Sequence, residues 1–204
     1  MNQMGLSHRA ATRTTQKNYH ETMKESHHFI EMMRDKVADK DPVLIINMDQ
    51  TPIPFFFHLA KTLEKKGTKT IHIHALTSNT KRVMLAVTVD ASDRMQPPML
   101  TFKGTVNRHI SCEFAMYPDK GHYVCQKKAW MDEEMMLKWI DDVLIPWCNE
   151  KGPDVIPILI LDAYQVHMMG NIVNRMQSLG IAVVHIPLGC TYLCQPFDIF
   201  ALPS

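Results

Sequence analysis

Two apolar runs, each closed by a single carboxylate, constrain this chain more than any other feature. The first, PVLIINMD, spans residues 42–49, and the second, VIPILILD, spans 155–162. A half-buried strand alternates apolar and polar residues, whereas a short, near-continuous apolar run reads as a strand buried on all sides. A carboxylate at the end of such a strand is expensive unless something there uses its charge. With 204 residues, 46% of them hydrophobic, the chain can bury one sizeable core, and one domain is expected.

The remaining elements follow from periodicity and breakers. Residues 1–18 are polar, carry Arg9, Arg13 and Lys17, and read as a linker that contributes no core. Over residues 19–40, Tyr19, Met23, Phe29, Ile30, Met33 and Val37 recur at helical spacing, and Asp41-Pro42 stops the helix. Residues 43–48 form the first strand, KTIHIHALTSN (69–79) a second, RVMLAVTVDA (82–91) a third and QPPMLTFKG (96–104) a further short one. Their links are too short for helical crossovers, so they should pair antiparallel. His72 and His74 alternate with Ile71 and Ile73 and are expected on a solvated strand face rather than at a metal. WMDEEMMLKWIDDVLIPWCNE (130–150) reads as a helix whose stripe is Met136, Leu137, Ile140, Val143 and Leu144, with its methionines and tryptophans in the core. A strand ending at Asp162 follows, then helix GNIVNRMQSLG (170–180), strand IAVVHIP (181–187) and the segment LGCTYLCQPFDIF (188–200), which contains Asp198.

Composition excludes several classes. No run approaches the ~18 consecutive apolar residues of a membrane span, and the N-terminus lacks the apolar core of a secretory signal, so an intracellular soluble protein without membrane contact is expected. Five irregularly spaced cysteines do not make a disulfide framework. Cys190 and Cys194, with His185 upstream, have a zinc-like C-x3-C spacing, but no second ligand pair stands at the matching distance. The net charge of +1 hides an asymmetry. Residues 1–60 carry seven Lys/Arg against seven Asp/Glu, residues 61–128 twelve against five, and residues 129–204 three against nine. The basic middle, with Lys65, Lys66, Lys127 and Lys128, suits polyphosphate contact, or is a solvated face. The acidic last third suits a site that holds cations.

Asp49, Asp162 and Asp198 form the candidate site. Any one of them could simply cap a following helix. Three acids converging at strand ends repel one another, an arrangement tolerable chiefly when divalent cations neutralise it. Oxygen ligands favour Mg²⁺ or Mn²⁺, and two such ions about 3.5–4 Å apart can activate water and stabilise the leaving oxygen of a phosphodiester. The stretch NMDQT (47–51) approaches the D-x-D-x-T loop of aspartate-nucleophile phosphatases, but Asn47 stands where the nucleophile must be. Neither G-x-x-x-x-G-K-[ST] nor G-x-G-x-x-G occurs.

IINMDQTPI (45–53), PILILDAYQVHM (157–168) and LCQPFDI (193–199) resemble, in order, the three acidic motifs of the DDE superfamily endonucleases, in the pogo/Tigger and centromere-protein-B-like branch of transposases. KRVMLAVTVDASDRMQPPMLTFKG (81–104) resembles that family's second and third strands with their F-K-G turn, and 35 residues separate Asp162 from Asp198, within the family's range. The resemblance implies an α/β, RNase H-like fold: a mixed five-stranded sheet with helices on both faces. It implies that Asp49, Asp162 and Asp198 are the catalytic and metal-binding acids, with two Mg²⁺ or Mn²⁺ ions, and that Thr51, His167, Gln195 and Pro196 occupy supporting positions. DNA is then the partner, together with a second copy or a full-length transposase, and the nucleus the location. Residues 1–41 would be a linker and helix left from a DNA-binding region, and 42–204 the endonuclease domain, expected to be truncated after the third motif because only IFALPS follows Asp198. Two functions stand at this stage: a metal-dependent DNA endonuclease and strand transferase, and a non-catalytic domain that binds nucleic acid or a partner protein through its basic middle.

Overall fold

The computed structural model describes residues 19–39, 41, 44–55, 82–152 and 156–196. In chain order these form α1 (Tyr19–Val37), β1 (Ile45–Pro54), β2 (Arg82–Asp90), β3 (Met99–Lys103), α2 (His109–Glu113), β4 (His122–Gln126), α3 (Glu133–Trp139), α4 (Ile145–Lys151), β5 (Ile158–Leu161), α5 (Gly170–Ser178), β6 (Ala182–His185) and α6 (Thr191–Cys194). The strands make one sheet in the order β4-β3-β2-β1-β5-β6. β1 and β2 pair antiparallel, as do β2 and β3, while β3–β4, β1–β5 and β5–β6 are parallel. Every strand except β2 therefore points the same way, and their carboxyl ends share one edge of the sheet.

Both faces of the sheet are covered. Ile46, Met48, Ala86, Met99, Leu159 and Leu161 pack against α3, α4 and α5 through Met136, Trp139, Leu144, Trp147, Ile172 and Met176. On the other face, Ile158, Ile160 and Val184 meet Phe29 of α1 and Cys190 and Cys194 beside α6. This double cover is why 45–48 and 158–161 carry almost no polar residues.

β1 is longer than the apolar run, starting at Ile45 and passing through Asp49 to Pro54. Pairing with β2 carries it on, from Ile46 opposite Asp90 to Pro54 opposite Arg82. Thr51-Pro52, a pair that reads as a turn after Asp49, instead continues the strand. β5 leaves β1 after Leu161, and beyond that point β1 has the character of an edge, where prolines are tolerated. The sheet also has six strands among the described residues rather than the five expected. The added β4, HYVCQ, is short and not apolar enough to stand out, and its parallel pairing with β3 supports it. The expected strand at 69–79, with His72 and His74, lies outside the described residues.

α3 and α4 are joined through a π-helical turn at Ile140–Leu144. The wide turn sits just before Pro146, which has no N–H to offer the carbonyl of Asp142. Asp132 caps α3, its carboxylate accepting from the amide of Met135 at 3.1 Å. The helix thus starts after Trp130, which is 44% exposed and not in the core as its register had implied, whereas Trp139 and Trp147 are buried there.

At the amino edge of the sheet, Asp90 ends β2 with a fully buried carboxylate. Its Oδ1 accepts from the Ser92 hydroxyl at 2.6 Å and from the Ser92 and Arg94 amides at 3.1 Å, and the Lys151 ammonium lies 3.9 Å from Oδ2. Burial raises its pKa, but the hydrogen bonds and Lys151 outweigh burial and hold it below the usual value. A depressed carboxylate stabilises the fold above its unfolded pKa of about 3.9, and the contribution fades as pH falls through the lower folded value. Asp90→Ala is expected to cost roughly 2–3 kcal/mol in urea unfolding at pH 7, a difference that narrows as the titration is repeated towards pH 3.

Candidate active site

In the register of β1 and β5, Ile45 pairs with Ile158 and Asn47 with Ile160. Two steps further, at the carboxyl edge, Asp49 comes alongside Asp162, the first residue past β5. Both acids line one open cleft of about 190 Å³ with Gln50, Pro52, Arg82, Met84, Trp130 and Tyr164. The Asn47 side chain donates to the Ile160 carbonyl at 2.9 Å and so ties β1 to β5 just beneath the acids. The residue that removes phosphatase chemistry therefore has a structural task.

His167 braces Asp162. It is buried, with Nδ1 2.9 Å from the Asp162 carboxylate and 3.1 Å from the Asp162 carbonyl. Its Nε2 lies 2.9 Å from the Gln50 amide nitrogen, which can only donate. Those partners assign the proton to Nδ1 and leave Nε2 as acceptor. Asp162 is thus connected through one imidazole to the neighbour of Asp49, a tie that reaches across 117 residues. This replaces the helix-cap reading of Asp162, because the 3-10 turn Gln165–Met168 is preceded by Tyr164 and takes no side-chain cap.

Gln195 and Thr51, expected at supporting positions, are also described. Gln195 is fully buried and donates from Nε2 to the Met48 carbonyl at 3.4 Å, one residue before Asp49. Thr51 sits half-buried on β1 opposite Leu85. Behind His167, a second cavity of about 270 Å³ is lined by Val173, Met176, Gln177, Ile181, Val183 and His185. Burial pushes the His185 imidazole below its ordinary pKa, which favours the neutral form.

Lys127 and Lys128 are exposed in the turn after β4, and Lys103 is exposed at the end of β3, all at the carboxyl edge. Asp198, Lys65 and Lys66 lie outside the described residues. Among the described residues no three His, Cys, Asp or Glu are placed to hold a metal, which holds for Cys190 and Cys194 and equally for Asp49 and Asp162 taken without Asp198. Both thiols instead face α1, Cys190 Sγ 3.7 Å from the Thr22 carbonyl and Cys194 Sγ 4.0 Å from that of Ser26. Sequence reasoning missed Gln50, Arg82, Trp130 and Tyr164, none of which carries a local signal of its role. Among the described residues no helix is long and apolar enough to cross a membrane.

A family model of the DDE superfamily endonuclease matches residues 78–201, more than half of the chain. The chain belongs to the DDE superfamily of endonucleases. Over 155 residues this DDE domain is 26% identical to the Homo sapiens pogo transposable element with KRAB domain, covering 75% of the chain and 24% of that protein. It therefore spans about a quarter of that relative's length. Among solved structures it is similar to the Mos1 transposase paired-end complex with left transposon end, with a TM-score of 0.60 at 14% identity over 96% of this chain and 51% of that one. It is also similar to the Mos1 transposase catalytic domain with Raltegravir and Mg, with a TM-score of 0.54 at 15% identity over 91% and 72%. The fold is accordingly RNase H-like, with helices on both faces of a mixed sheet.

Proposed function

We propose that this domain cuts and joins DNA as a divalent-metal-dependent endonuclease, with Asp49 and Asp162, and Asp198 as third acid, holding Mg²⁺ or Mn²⁺. The observation that carries the reading is the register that brings Asp49 and Asp162 together where β5 ends. Two neighbouring carboxylates in an open cleft fit the ion, because Mg²⁺ is commonly held by one or two carboxylates with phosphate and water completing its shell. When bound, the metal supplies Lewis-acid polarisation of the phosphodiester and lowers the pKa of the attacking water or 3′-hydroxyl.

The chain's own residues supply orientation and charge. His167 fixes the direction of the Asp162 carboxylate, and Gln50 fixes His167. Arg82, at the cleft wall, would meet a phosphate oxygen with the edge of its guanidinium. Lys127 and Lys128, with Lys65 and Lys66 of the same basic segment, would carry the approaching backbone. That the human relative is named a transposable-element protein, and that Mos1 was solved on a transposon end, supports DNA as partner, assembly with a second copy or a full-length transposase, and action in the nucleus. On this reading residues 1–41 lead in from a DNA-binding region and 42–204 perform the chemistry.

The test is nicking of supercoiled plasmid by the purified chain with Mn²⁺, set beside Asp162→Asn. Nicking that disappears in the variant supports the reading, and nicking that persists unchanged removes Asp162 from it. DNA binding without any nicking would favour the non-catalytic alternative, for which the exposed lysine edge is the specific support. Binding is expected to be salt-dependent in either case. Lys127→Glu with Lys128→Glu should flatten the slope of log K against log salt by about two units, as the loss of two phosphate contacts requires.

A further inference from the structure

We infer that Trp130 and Arg82 form a stacking platform for an unpaired nucleobase at the wall of the acid cleft. The inference rests on the reading that the cleft takes DNA.

Of the three tryptophans, Trp139 and Trp147 are 0% and 1% exposed, and Trp130 is 44% exposed. The Arg82 guanidinium carbon sits 4.4 Å from the centre of the Trp130 ring, and both side chains line the cleft that holds Asp49 and Asp162. The turn that presents Trp130 is built with care. Gln126 Oε1 accepts from the amides of Lys128 at 2.5 Å and Trp130 at 3.3 Å, while Gln126 Nε2 donates to Asp132 Oδ2 at 2.7 Å. Ala129 is fully buried with φ of 53°, in the left-handed region that a non-glycine residue rarely adopts. Strain of this kind persists where the surroundings impose it, and it collects at functional positions. The turn runs directly into Asp132, the cap of α3, so Trp130 stands ahead of the helix.

The same turn exposes Lys127 and Lys128. Cations that track a backbone beside an aromatic face are what single-stranded nucleic acid binds, because every base has a π-face and none of this depends on sequence. Arg82 adds a planar cation that can itself stack on a base. Bases inside a duplex hide their faces against each other, so the platform favours a strand whose bases are unpaired where it passes the acid cleft.

Affinity is read from the anisotropy of a label on the DNA, so that variants without Trp130 report as well, and the emission of Trp130, the exposed indole, is followed beside it. Wild-type chain, with Ca²⁺ present to neutralise the acids, is titrated with a blunt duplex, with the same duplex carrying a short unpaired end, and with that fork bearing abasic sites in the unpaired end. The fork is expected to quench emission and to bind on the order of tenfold more tightly than the abasic fork. Trp130→Ala should lose this preference and keep the affinity for blunt duplex, and Trp130→Phe should retain part of it. Gln126→Ala, which frees the turn, should weaken the preference without touching the ring. Equal affinity of wild type for fork and abasic fork, or an undiminished preference in Trp130→Ala, overturns the inference while duplex binding leaves the DNA reading standing. Failure to bind any of the three DNAs overturns both.

Discussion

Asp49→Asn combined with Asp162→Asn is expected to erase the rise in melting temperature that Mn²⁺ gives the unsubstituted chain. A ligand that binds only the folded state stabilises it by RT ln(1 + [L]/Kd), about 2.7 kcal/mol at a hundredfold excess over Kd. For a chain of this size that amounts to a shift of roughly 5–10 °C. Asparagine keeps the shape of each side chain and can still accept from His167 Nδ1, which bonds the Asp162 carboxylate at 2.9 Å. The substitutions therefore remove charge and leave the brace. Without metal, the double variant is expected to remain folded, with a melting temperature within a few degrees of the parent's. Differential scanning fluorimetry across a Mn²⁺ series, with Ca²⁺ and high salt as controls, measures both effects. An equal Mn²⁺ shift in parent and double variant would remove the metal site from these two strands. Asp198→Asn, run in parallel, reports whether the third acid shares in the binding.

Trp139→Ala is expected to destabilise the fold by about 4 kcal/mol, the range for truncating a fully buried aromatic. Trp139 has no exposed surface and packs in the core between α3, α4 and the sheet. Its Nε1 donates to the Thr88 hydroxyl at 3.1 Å, and Thr88 is equally buried in the middle of β2. Truncation leaves both a cavity and a hydroxyl without its donor. Trp139→Phe separates the two terms, since it keeps most of the volume and loses the hydrogen bond, at a cost of about 1–2 kcal/mol. Urea unfolding followed by circular dichroism gives both values. A cost for Trp139→Ala below 1 kcal/mol would mean that this core is not what holds the helical layer to the sheet. The contrast with Trp130 is instructive, because two tryptophans nine positions apart in one apolar segment have opposite fates.

That contrast shows where local pattern stops being informative. The apolar runs before Asp49 and Asp162 announced central strands because full burial leaves its mark on every residue of a strand. The helix over 19–40 was legible from its apolar spacing, although α1 already stops at Val37. The cap at Asp132 was not, because periodicity carried the next helix back to Trp130 and a capping side chain acts only within one turn. The order of the acidic motifs carried the family. β4 was not legible, because HYVCQ has little character of its own and becomes a strand only by pairing with β3. Nor was the end of β1, whose passage through Thr51-Pro52 depends on β2 running alongside it to Arg82.

The sequence by itself determined which residues are apolar enough to build a two-sided sheet, and which carboxylates stand where such strands stop. Only the tertiary structure decided that Asp49 and Asp162 line one cleft, that Gln50 and His167 tie Asp162 to the strand carrying Asp49, and that Trp130 with Arg82 forms a wall of that cleft. The physical reason is range. Strand and helix preferences are summed over adjacent residues, whereas strand register, a histidine's tautomer and an indole's exposure depend on partners far away in the chain, brought together when both faces of the sheet are buried.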